Sequence, residues 1–160
     1  MRTLWTWFRR AVLAFLCAPA VFTVGLANAQ PTSYQGLWWN APAGSEAGWG
    51  INLAHQGDSI FATWFTYDTA GEGWWLSMTA TKIGEGAYAG MVIETRGPAF
   101  STVPFDPASV TRTTVGTGTL TFVGADNGTF TYNIKGVQQS KVITRQVFGS
   151  PVPTCTSGGT

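Results

Sequence analysis

The sequence has one histidine, His55, and two cysteines, Cys17 and Cys155. A zinc-type centre needs three or four His, Cys or carboxylate ligands gathered in one place. The stretch "AHQGD" offers His55 and Asp58 alone, which excludes a histidine-based metal site. Charge is scarce too: Asp, Glu, Lys and Arg make up 11% of the chain, against about 25% in an ordinary globular protein. No Lys/Arg run is present to track phosphates, so nucleic acid is not expected as a partner. The acids are scattered, mostly at turns. No oxygen-only cation site is expected from them, and no cofactor.

Signatures of catalysis are missing as well. No Gly-x-Ser-x-Gly occurs, and "AGSEAG" has the wrong spacing for it. Ser45 and His55 could be drawn into a triad with an acid, but so could any serine and histidine. A glycosidase needs two carboxyl groups facing each other across a cleft. Glu46 and Asp68 would meet in that way only by coincidence of folding. The chain reads as a binding protein rather than an enzyme.

Long apolar runs are absent except at the start. "MRTLWTWFRR" carries Arg2, Arg9 and Arg10 and no acid, and "AVLAFLCAPAVFTVGLA" follows it uncharged. Ala27-Asn28-Ala29 then forms a small-x-small site before Gln30. A basic segment, an apolar run and an A-x-A site describe a secretory signal peptide over residues 1–29. The apolar run of about 17 residues is short for a membrane span. The expected product is an exported protein, periplasmic or extracellular, with no span after cleavage. Removing residues 1–29 from 160 leaves 131, enough for one domain with a core. Three of the nine basic residues leave with that segment, so six face eight acids. Only Cys155 remains, so no internal disulfide can form. It is a free thiol, or it joins two copies as a disulfide-linked dimer.

Helix signals are nearly absent after residue 30. Short runs of β-branched and aromatic residues alternate there with turn clusters, the pattern of strands and hairpins. Eight strands are expected, at about 34–40, 48–55, 59–68, 73–82, 87–95, 114–123, 128–135 and 138–148. Most links are short and rich in Gly, Asp, Asn or Glu, so neighbours should pair antiparallel. The segment 96–113 is the exception, with Pro98, Pro104 and Pro107, and reads as a loop or edge. An eight-stranded meander can close into an up-and-down β-barrel, and a two-sheet sandwich is the alternative. The single β-domain is expected over residues 30–149. Residues 150–160, including Cys155, read as a disordered tail, rich in Pro and Gly and without periodicity.

Tryptophan is what the chain has in excess. Of eight, Trp5 and Trp7 lie in the leader, and the other six fall between Trp38 and Trp75. Adjacent Trp38 and Trp39 must point to opposite faces of a strand, as must Trp74 and Trp75. One of each pair can enter a core; the other cannot. With Trp38 inward, Trp39 belongs to a second aromatic face, with Trp64 or Trp75 beside it. Amide and imidazole groups sit nearby in sequence. The candidate ligand-binding residues are therefore Trp39, Asn40, Trp49, Asn52, His55, Trp64, Tyr67 and Trp75. Aromatic planes with amide hydrogen bonders suit a sugar ring or a small planar ligand.

Several motifs agree in order. "GLWWN", "GWGINLAHQGD" and "FATWFTYD", followed by "GPAFSTVPFDP", "GTGTLTF", "NGTFTY" and "ITRQVF", resemble a domain that recurs in secreted proteins of Gram-negative bacteria. The resemblance spans about residues 34–155. It implies an exported, β-rich module and assigns no activity. Gly36-Leu37-Trp38 also resembles the first-strand signature of lipocalin-type and avidin-like barrels. The expected function is an exported binding module for a small apolar or carbohydrate-like ligand. The alternative is a structural or protein-interaction module whose aromatic face meets another protein.

Overall fold

Alternation decides which residues go inside. In "SIFATWFTY", Ile60, Ala62 and Trp64 are buried while Ser59, Phe61 and Phe65 are exposed. In "NGTFTYNI", Phe130, Tyr132 and Ile134 are buried and their neighbours are not. The computed structural model, which describes residues 32–149, shows eight such strands. They are β1 (Gly36–Asn40), β2 (Gly50–Gln56), β3 (Ser59–Tyr67), β4 (Gly73–Gly84), β5 (Ala87–Arg96), β6 (Thr111–Val123), β7 (Asn127–Ile134) and β8 (Val137–Arg145). The signal segment, the tail and both cysteines lie outside the described residues.

Each strand pairs antiparallel with the next, and β1 pairs with β8, so the sheet closes into a barrel. Trp38 lies opposite Arg145 and Asn40 opposite Ile143 across that seam. Closure leaves no bare edge to recruit another chain and rules out the sandwich. Strand β6 starts earlier than expected and β8 stops earlier. The loop between β5 and β6 is correspondingly shorter, with one 3-10 turn, Pro107–Ser109. That loop packs little: Phe100 and Val103 are fully or almost fully exposed.

The interior is filled from every strand. Trp38, Ile51, Ile60, Leu76, Leu120 and Ile143 are all at 0% exposure. The outer surface divides into two halves. On β6, β7 and β8 it carries Thr117, Thr121, Asn133, Gln138 and Ser140, all exposed. On β3 and β4 it carries Phe61, Phe65, Tyr67 and Trp75. Two glycines let part of this second half lie flat. A Cβ on Gly50 would sit 2.5 Å from the Phe65 ring, and one on Gly48 would sit 2.5 Å from the Tyr67 hydroxyl. The rings occupy the space that side chains would otherwise take.

One end of the barrel is plugged. Tyr34, just before β1, stacks on Phe122 with centroids 3.9 Å apart and planes within 9°. It also stacks on His55 at 5.4 Å and meets the edge of Tyr88 at 6.0 Å. The Trp38 indole N–H donates to the Tyr34 carbonyl at 2.9 Å. Arg145 lies across the Trp38 ring at 5.0 Å.

Candidate ligand-binding site

The other end carries the β1–β2 and β3–β4 loops and the β7–β8 turn, and here the interior opens. A pocket of about 360 Å³ lies there, within the ~300–1,000 Å³ of small-molecule sites. Its floor is Trp64, buried to 8% exposure, with Tyr132 tilted against it at 4.6 Å. Trp49 and Trp74 form walls higher up.

Local sequence explains each wall. Trp49 ends the β1–β2 loop between Gly48, at φ +106, and Gly50, so it carries the only bulky side chain in "GWG". Trp74 shares strand parity with the buried Leu76 and Met78, which turns it inward at the first residues of β4. The β7–β8 turn is Lys135-Gly136, with φ of 49° and 85°, the two positive values of a type I′ hairpin. Lys135 therefore holds a left-handed conformation that a side chain adopts at some cost. From that position its ammonium reaches 4.7 Å over the Trp74 ring and 3.3 Å from Glu94.

Polar groups converge at the rim. Lys141 points inward from β8, in step with the buried Ile143. Its Nζ donates to both Glu46 oxygens, at 2.9 and 2.8 Å. The Trp49 indole N–H donates to Glu46 Oε2 at 2.7 Å. Tyr132 donates its hydroxyl hydrogen to Gln139 Oε1, and burial pushes its phenol pKa up. The Trp64 indole N–H, by contrast, is buried with no acceptor among the described residues, an arrangement that costs about 1–3 kcal/mol.

Glu46 is held ionised by this grip. The hydrogen bond from Lys141, then the one from Trp49, lower its pKa below the ordinary carboxylate value. A lowered folded-state pKa stabilises the fold above the ordinary value, and that stabilisation is lost as pH falls through the lowered one. A carboxyl NMR titration should therefore give Glu46 a midpoint below the ordinary carboxylate range, and Lys141→Met should bring it back up. A midpoint at or above that range in the parent protein would mean the ion pair does not form in solution.

Of the sequence candidates, the structure brings three to this pocket: Trp49, Trp64 and Tyr67. Trp64 is there as an interior residue, on the opposite face from Trp39 and Trp75, because its parity matches Ile60 and Ala62. Trp75 is outside at 55% exposure, opposite Phe65 in the ladder. Trp39 is half-buried on the outside, and its indole N–H also lacks a partner among the described residues. Asn52 is exposed on the outer face of β2. Asn40 donates to Ser45 Oγ at 3.0 Å and so steadies the loop that carries Glu46. His55 sits at the plugged end. Its Nδ1 accepts the Tyr34 backbone N–H at 3.2 Å, which places the neutral ring's proton on Nε2, facing Gly57 O at 2.8 Å. Tyr88 meets the same nitrogen at 3.1 Å.

No family model, curated protein or solved structure matches this chain. The site must therefore speak through its own geometry.

Glu46 and Asp68, two carboxylates that the sequence gives no reason to bring together, do both line the pocket. Each is already engaged. Glu46 is held by Lys141 and Trp49, and Asp68 Oδ1 accepts the backbone N–H groups of Ala70 and Glu72 at 2.8 and 2.9 Å. Trp74, Tyr132, Gln139 and Lys141 were missed. Parity carried a signal for three of them: Trp74 is in phase with Leu76, Tyr132 with Phe130, and Lys141 with Ile143. A lysine on the core-facing parity of a strand is either at a barrel mouth or unsatisfied.

Proposed function

We propose that this domain is a binding module that takes a small molecule, apolar or carbohydrate-like, in the mouth of the barrel. The observation that carries this reading is the pocket itself: three indoles and Tyr132 around a cavity plugged at the opposite end. Ring-shaped ligands gain from such walls through dispersion and water release, and a few rim polar groups orient them. Gln139 and the Lys141 ammonium, which Glu46 caps, supply those groups here. The basic and apolar start of the chain, ending at Ala27-Asn28-Ala29, supports an exported role, in the periplasm or beyond.

Titration with 2-naphthol, followed through the indole N–H resonances, tests this directly. Trp49, Trp64 and Trp74 should shift, while Trp75 stays in place. Trp74→Ala should weaken binding about tenfold, or about 1.4 kcal/mol, and move the melting point by only a few degrees. Unmoved mouth indoles at saturating probe would sink the proposal.

A second reading rests on the outer aromatic half. Phe61, Phe65, Tyr67 and Trp75 are exposed on adjoining strands, and contiguous apolar surface of this kind suits a protein interface. That reading predicts resonance shifts at Trp75 on self-association or with a partner protein, independent of any small molecule.

A further inference from the structure

Glu46 and Lys141 are unequal partners. Lys141 belongs to β8 and stands opposite Phe130 in the ladder, so its backbone is fixed. Glu46 belongs to the β1–β2 loop, between Gly44 at φ +79 and Gly48 at φ +106, and its side chain is 39% exposed. A loop carboxylate can turn out into water at little cost. A strand ammonium inside a barrel cannot follow it. When Glu46 leaves, an ammonium and the Trp49 indole N–H remain at the rim, already spaced to hold a carboxylate. The lysine side chain that stays behind is only 25% exposed, so it gains from a new anionic partner. The other lysine of the mouth, Lys135, is paired with Glu94.

We propose that the ligand of this mouth is a carboxylate on a planar apolar body, and that Glu46 is its tethered competitor. The ligand carboxylate takes the place of Glu46 on Lys141, and the body lies against Trp64 and Trp74. Ligand affinity is then reduced by the fraction of molecules in which Glu46 is seated. A phosphate would bring a second charge that the single free ammonium does not match. The inference rests on the mouth being a ligand site, and it adds the charge of the ligand and the identity of what it displaces.

The test uses two probes of one shape, 2-naphthoate and its uncharged analogue 2-naphthamide. Each is titrated calorimetrically into the parent protein, Glu46→Gln and Lys141→Met. The parent should prefer naphthoate. Glu46→Gln should tighten naphthoate by about three- to tenfold and leave naphthamide within about twofold. Lys141→Met should abolish the preference while still binding naphthamide, which also reports that the mouth is intact. Equal binding of both probes to the parent and to Glu46→Gln overturns the carboxylate inference and leaves the apolar mouth standing. Binding of neither probe to any variant overturns both.

Discussion

Replacing Trp38 with alanine will unfold much of the domain. The indole is at 0% exposure, so truncation costs about 3–5 kcal/mol out of a total of about 5–15. More than packing is lost. The Tyr34 carbonyl loses its donor, the Arg145 guanidinium loses the ring beneath it, and the Phe122 contact at 5.0 Å disappears. Trp75→Ala, outside the barrel, should cost well under about 1 kcal/mol. Thermal melts of the two variants compare these positions directly. A melting point for Trp38→Ala within a few degrees of the parent would show that the plug is dispensable.

The second large effect is expected at Arg145. Its guanidinium joins three stretches of chain: it donates to the Gln35 and Ser33 carbonyls before β1, and to Ala125 O and Asp126 Oδ1 in the β6–β7 turn. The side chain is only 15% exposed. Arg145→Met keeps the length and removes every donor, at a cost on the order of 3 kcal/mol. Arg145→Lys should recover less than half of that, because an ammonium cannot reproduce the planar fork. Urea unfolding of the three proteins measures this, and a lysine variant as stable as the parent would mean that charge alone is at work.

Sequence periodicity reached the faces of the strands but not their heights. The split of Trp38 from Trp39, and of Trp74 from Trp75, follows from the two-residue repeat of a strand, and so does the barrel's alternation of core and surface. Where a residue sits along the barrel axis depends on the stagger between strands, which is a property of all eight together. Hence His55, at the far end of β2 from Trp49, meets Tyr34 and Tyr88 rather than the mouth indoles. Hence also Lys141, 95 residues from Glu46 in the chain, had no sequence signal beyond its parity. The run of aromatic and apolar residues from Tyr34 predicts a strand that begins there. Tyr34 is instead the plug, because β1 pairs with β2 only from Gly36 onward.

The two ends of the described chain leave the barrel together. The Ser33 carbonyl accepts from Arg145 Nη2 at 2.9 Å, and the Gln146 N–H reaches the Leu37 carbonyl at 2.7 Å. Both points lie beneath the plug, on the side away from the pocket. The domain is therefore built like a cup with its stem at the base. Neither described end of the chain emerges at the rim, which is formed instead by internal connections, the β1–β2 and β3–β4 loops and the β7–β8 turn among them.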